Sequence, residues 1–115
     1  MTLVLWGIPT CGTVKKAERW LTDAGRPYVS RDLRRDPPTR DEIAAAVAVL
    51  GARALRNTSG ASFRALPPAR EQWTDDQWID AFSADPMLIR RPVVWGSGAP
   101  RFAGWPADPA AALGD

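Results

Sequence analysis

Leu3-Val4-Leu5-Trp6 is a compact apolar run closed by Gly7 and Pro9, and a second short run, Tyr28-Val29-Ser30, follows one helix length later. This spacing constrains the fold more than any other feature of the chain. A short apolar run ended by glycine and proline suits a buried strand over residues 2–7 with a turn behind it. From Gly12 to Ala24 the apolar positions Val14, Ala17, Leu21 and Ala24 recur at three and four, while Lys15, Lys16, Glu18, Arg19 and Asp23 take the other face. That is an amphipathic helix, and Gly25 and Pro27 stop it. Strand, helix and strand at this spacing form a βαβ unit, with parallel strands and a right-handed crossover.

The middle of the chain reads as helical. In PPTRDEIAAAVAVLG, Thr39 and Glu42 have capping-box spacing before an alanine-rich run that Gly51 ends, and residues 52–56 suit a shorter helix. Thr74 and Gln77 repeat the box at the start of TDDQWIDAFSAD. After Pro86 the period changes: Pro92-Val93-Val94-Trp95, a long turn over residues 96–100, and Arg101 to Trp105 predict a hairpin. Asp108 before Pro109 caps a last short helix. The proline pairs at 37–38 and 67–68 read as bends, and no repeat or low-complexity segment appears. A chain of 115 residues closes one core, so one domain over residues 1–115 is expected.

Composition narrows the function. Net charge is +2, from 15 basic and 13 acidic residues, so nucleic acid is not an expected partner. The arginines of RDLRRDPPTR are diluted by Asp32, Asp36 and Asp41 and read as a solvated surface. One cysteine and no histidine leave no intrachain disulfide and no usual zinc set, and no metal is expected. The start, MTLVLWGIP, is too short and too soon interrupted for a signal peptide or a membrane span. The expected location is the cytoplasm, with no membrane contact, where a lone thiol stays reduced unless used.

Cys11 falls just beyond the carboxyl end of the first strand and at the amino end of the first helix, where open α/β sheets present their ligands. The free N–H groups of Gly12, Thr13 and Val14, with the helix dipole, favour thiolate over thiol, and Lys15 or Lys16 adds positive charge from one turn away. The same amides suit an oxyanion. The other reading of a lone cysteine is a small buried hydrophobe, a role for which a turn between Thr10 and Gly12 is a poor place. Val14 stands three residues after Cys11, so there is no C-x-x-C pair, and a mixed disulfide has to be resolved by an external thiol.

Arg91-Pro92 is the second feature. A proline before a strand is either an ordinary trans residue or a cis one, and the residues alone favour trans. Arg90 and Arg91 are surface charges or, where one faces inward, forks for an oxyanion or carboxylate. The tryptophans at 6, 20, 73, 78, 95 and 105 lie in different elements and read as core and rim. Asn57-Thr58-Ser59-Gly60 lacks the preceding strand and following lysine of a phosphate loop and reads as a turn.

WGIPTCGTVKKAERWL, PPTRDEI, TDDQWIDAF and DPMLIRRPVV, in that order along nearly the whole chain, together resemble the glutaredoxin-coupled arsenate reductase family, which also includes the Spx regulators. The resemblance implies a thioredoxin-like (glutaredoxin-like) α/β fold, a mixed sheet with a helical insertion over about residues 37–86. It implies that Cys11 is the nucleophile and that Arg91 precedes a cis-proline, Pro92. In such reductases the thiolate attacks arsenate, glutathione joins the adduct, glutaredoxin resolves the mixed disulfide, and three arginines hold the anion. Arg91 matches one arginine. The second falls on Asn57, with Arg56 one residue early, and the third on Gly104, with Arg101 three residues before it. Each lost charged hydrogen bond costs about 1.5–3 kcal/mol. The departure resembles a sub-branch that keeps the cysteine and Arg-Pro and acts as a glutathione-dependent thiol reductase.

The resulting expectation is an oxidoreductase in which Cys11 is catalytic. Gly12, Thr13, Lys15, Arg91 and Arg56 stabilise the thiolate or bind the anion. No cofactor is tightly bound; glutathione is co-substrate, glutaredoxin is partner, and the substrate is a small oxyanion or thiol. The alternative is an Spx-like protein that binds RNA polymerase, without the C-x-x-C switch.

Overall fold

The structure is a computed structural model that describes residues 1–114. Strand β1 (Leu3–Gly7) leads into helix α1 (Gly12–Asp23) and strand β2 (Tyr28–Asp32). Helices α2 (Arg40–Leu50), α3 (Ala52–Leu55), α4 (Ala61–Arg64) and α5 (Asp75–Ala84) follow, with 3-10 turns at Pro68–Gln72 and Pro86–Leu88. Strands β3 (Val93–Gly96) and β4 (Ala99–Ala103) and helix α6 (Pro109–Leu113) complete the order. The sheet runs β2-β1-β3-β4, with β1 parallel to β2 and antiparallel to β3, and β3 antiparallel to β4. This is the thioredoxin-like mixed sheet, and every element between β2 and β3 is helical, as the resemblance implies.

Alternation along the strands sorts two cores. Leu3 and Leu5 of β1 and Val94 of β3 pack with Ala17 and Leu21 of α1 on one face. Trp6 and Val93 turn to the other, where Ile43 and Val47 of α2 and Trp78 and Phe82 of α5 cover them. Successive side chains of a strand point to opposite faces, so Leu3 and Leu5 serve one layer and Val4 and Trp6 the other. Both capping boxes form: the Glu42 N–H donates to Thr39 Oγ1 at 3.1 Å and the Thr39 N–H to Glu42 Oε1 at 2.8 Å, and Thr74 and Gln77 do the same. Asp108 caps α6 through the Ala111 N–H. No helix among the described residues is long and apolar enough to cross a membrane.

The expected long hairpin turn is a two-residue one. Ser97 (φ 55°) and Gly98 (φ 75°) both take positive φ, which the tight turn of a twisted hairpin demands. Pro100 is no breaker, because β4 is an edge strand, the place in a sheet where a missing N–H is tolerated. Pro68 likewise opens a 3-10 turn where a bend was expected. The arginine cluster that begins in β2 is not wholly solvated either. Arg31 is largely buried, forks onto Glu42 at 2.6 and 3.1 Å, and lies 5.7 Å from the Trp6 ring centroid.

Arg31 holds the Glu42 carboxyl below the usual glutamate range; burial opposes it and the Thr39 N–H assists. A carboxyl whose folded pKa is depressed adds stability above its unfolded pKa of about 4.3 and loses it as pH falls through the folded value. Glu42→Gln keeps the capping box, which accepts glutamine, and removes the charge. It is expected to cost roughly 1 kcal/mol at pH 7, since Glu42 is partly exposed. The deficit should fade by pH 3 in urea titrations at the two pH values, and a deficit that persists unchanged refutes the ion-pair account.

Candidate active site

Cys11 is placed by the end of β1 and the start of α1. Its N–H donates to the Ile8 carbonyl at 3.1 Å, closing the turn, and its own carbonyl accepts from the Lys15 N–H at 3.1 Å, the first helical bond. Gly7 permits this close passage: a Cβ there would stand 2.6 Å from Val14 Cγ2. Cys11 is therefore the N-cap of α1, half-buried, and its side chain makes no capping hydrogen bond. Burial pushes the thiol up, but the N–H groups of Val14 and Thr13 and the Arg91 guanidinium together pull it below its ordinary value.

Arg91 lines the same cavity as Cys11 from a braced position. Its Nη1 donates to the carbonyls of Met87 at 3.2 Å and Ile89 at 3.3 Å. The Nε is buried and has no hydrogen-bond partner among the described residues. The Arg91–Pro92 peptide bond is cis, as the resemblance implies and against the trans reading of the residues alone.

The cavity in front of the sulfur measures about 460 Å³. Cys11 and Thr13 form one wall, Arg90 and Arg91 a second, Gly104 and Trp105 a third, and Asn57, Ser59 and Gly60 close it. Its lining is mainly polar. The loop read as a simple turn is thus part of the site. It is pinned there by the Asn57 N–H to the Leu88 carbonyl at 2.8 Å and by Ser59 Oγ to Asn57 Oδ1 at 3.1 Å. A polar tetrad between short helices was the one available signal, strengthened by the alignment of Asn57 with an anion ligand.

Of the expected residues, the structure brings together Cys11, Thr13 and Arg91, with Gly12 opening α1 between the first two and exposed. Two expected residues lie elsewhere. Lys15 shares its face of α1 with Glu18, and both line a separate concavity of 230 Å³ with Ser30, Arg31 and Asp32. That face looks toward β2 instead of Arg91. Arg56 stacks on Trp78, its Cζ 4.1 Å from the ring centroid; an electron-rich indole face inside the insertion captures it. Arg101 does not substitute, since its Nε reaches only the Gly96 carbonyl, at 3.4 Å, beside Met1. Arg90, which the residues alone leave as a surface charge or an inward fork, lines the cavity.

Arg91→Ala should shift the pH profile of Cys11 alkylation by iodoacetamide to higher pH. Its positive charge favours thiolate, so at pH 7 the variant should react several-fold more slowly, and Arg91→Lys should recover part of the rate. An unshifted profile would remove Arg91 from the activation of the thiol.

A model of the ArsC family matches residues 6–109. The uncharacterized protein YusI of Bacillus subtilis (strain 168) is 30% identical over 97 residues, covering 81% of this chain and 82% of that one. The arsenate reductase of Escherichia coli (strain K12) is 31% identical over 94 residues, covering 80% and 67%. Among solved structures, the YFFB protein superposes with a TM-score of 0.86 at 31% identity over 96% of each chain.

Proposed function

We propose, since this chain belongs to the ArsC family, that it is an arsenate-reductase-like thiol oxidoreductase with Cys11 as its single nucleophile and an external thiol as its resolving partner. The observation that carries the reading is Cys11 itself, an N-cap thiol shifted toward thiolate by helix amides and by Arg91. A thiolate is the nucleophile in both oxyanion and disulfide chemistry. The 115 residues hold no second cysteine, so resolution falls to glutathione and then glutaredoxin.

The steps are those the family resemblance implies, assigned to the residues of this cavity. The Cys11 thiolate attacks the electrophilic atom, arsenic or a disulfide sulfur, while Arg91 and the amides at the start of α1 hold the developing negative charge. Attack on arsenate expels water and leaves a Cys11–arsenic(V) adduct. A glutathione thiolate then attacks the Cys11 sulfur; the S–As bond breaks with its electron pair going to arsenic, which departs as arsenite, and a Cys11–glutathione disulfide remains. Attack on glutathione disulfide gives that mixed disulfide directly as one glutathione thiolate leaves. A glutaredoxin thiol then attacks the glutathione sulfur and frees Cys11. A reducing compartment such as the cytoplasm keeps the thiol ready. The regulator reading is disfavoured by Val14, which is 2% exposed and packed against Gly7 where the second cysteine of a switch would stand.

Incubation with glutathione disulfide should add one glutathione per chain, at Cys11 by mass spectrometry, and glutaredoxin with glutathione should remove it. Arsenate should draw NADPH in the same system coupled to glutathione reductase if the two cavity arginines suffice as anion ligands. A Cys11 that takes iodoacetamide yet never takes glutathione overturns the proposal.

A further inference from the structure

We infer that Arg90 is the specificity residue of the thiol cavity, binding a carboxylate of the thiol or disulfide whose sulfur meets Cys11, and that residue 104 is glycine so that Arg90 has room. The inference rests on the glutathione reading above and names which part of that ligand this chain selects.

Three observations carry it. The guanidinium of Arg90 fills the space a side chain at 104 would take: a Cβ on Gly104 would lie 2.6 Å from Nε, 2.9 Å from Cζ and 3.0 Å from Nη2. Both backbones are fixed around that contact. The Arg90 N–H donates to the Leu55 carbonyl at 2.7 Å, and the Gly104 N–H to the Pro92 carbonyl at 2.8 Å, with Gly104 at φ +79°. Second, the Arg90 guanidinium meets no carboxylate among the described residues, so its charge faces the cavity without an internal partner. Third, the two adjacent arginines divide the site. Arg91 is half-buried and acts on the sulfur, whereas Arg90 is exposed at the rim.

Cavity size favours an anion remote from the sulfur over one at it. A tetrahedral oxyanion displaces only a few waters and does not span the cavity from the sulfur to its rim. A peptide-sized thiol fills more of it and carries carboxylates several bonds from its sulfur. A fork at the rim suits such a carboxylate, and guanidinium binds carboxylate in a planar, two-point geometry. In the covalent step the Cys11 thiolate attacks one sulfur of glutathione disulfide. That S–S bond breaks as the Cys11–glutathione S–S bond forms, and the departing glutathione thiolate takes a proton from solvent. Arg90 holds the half that stays.

The test compares second-order rates of Cys11 with glutathione disulfide and with uncharged hydroxyethyl disulfide, as a ratio, for the wild type, Arg90→Ala, Arg90→Lys and Gly104→Ala. The ratio should fall about five- to tenfold in Arg90→Ala, as expected for a charged hydrogen bond at a partly solvated site. Arg90→Lys should recover part of it. Added salt should erode the wild-type ratio and leave that of Arg90→Ala flat. Gly104→Ala, which drives the guanidinium aside, should follow Arg90→Ala; should it fail to fold, the two Arg90 variants decide. A ratio unmoved by Arg90→Ala overturns this inference and leaves Cys11 as nucleophile. A wild type that forms no mixed disulfide with either reagent overturns both.

Discussion

Cys11→Ser is expected to lose turnover on the order of 10³-fold or more while the protein becomes no less stable. The two effects come from the same atom. A serine hydroxyl stays protonated where the thiol ionises, and neither the α1 amides nor Arg91 can make it a thiolate-like nucleophile. No other cysteine is present to take over. Yet Cys11 is an N-cap that makes no capping bond, and serine is among the strongest N-cap residues. Its oxygen can accept from the N–H groups of Thr13 or Val14, now turned toward the sulfur. Stability should hold or rise by about 0.5–1 kcal/mol, measured by urea unfolding beside the glutathionylation assay. Full turnover in the variant would remove Cys11 from the chemistry, and a marked loss of stability would refute the capping geometry.

The same local rule explains why much of this molecule is legible in its sequence. The position of Cys11 follows from a glycine-ended strand and an amphipathic helix, both short-range patterns. Thr39 with Glu42 and Thr74 with Gln77 announce their helices within four residues, and both boxes form. What a linear pattern cannot supply is the direction of a long side chain. Arg56 is one residue from an expected ligand position, but a ring 22 residues further along the chain decides its direction. Lys15 is one turn from the thiol, and helical rotation carries it to the β2 side. Arg90 reads as a surface charge until Gly104, in a different strand connection, is seen beneath its guanidinium. The Asn57–Gly60 loop reads as a turn, which it is. Its second role exists only because the carbonyls of Leu88 and Met87 hold Asn57 at the cavity. The cis bond before Pro92 was carried by the resemblance, since the neighbouring residues alone favour trans.

Trp78→Ala is expected to destabilise the protein by about 3–5 kcal/mol, a fall of about 10–20 °C in Tm for a chain of this size. Trp78 is 1% exposed and is the centre of an aromatic group: Trp73 at 5.0 Å edge-on, Phe82 at 5.6 Å and Phe63 at 6.5 Å between ring centroids. The same ring carries the Arg56 guanidinium, whose Nε is buried without a hydrogen-bond partner among the described residues. Removing the indole opens a large void and also strips that cation of its ring, so two costs fall on one residue. The damage should reach the thiol cavity. Trp78 packs against the helix that ends just before Arg56, and residues 57–60, which close the cavity, begin at the next position. Hydrogen exchange should therefore quicken at Asn57, whose N–H is held by Leu88. Trp78→Phe separates the causes. It keeps a ring face for Arg56 and deletes an indole N–H that is buried and unpaired, so it should recover more than half of the loss. A loss under about 1 kcal/mol for the alanine variant would refute the packing account. An alanine and a phenylalanine variant of equal stability would show that neither the ring's packing nor the Arg56 stack contributes to stability.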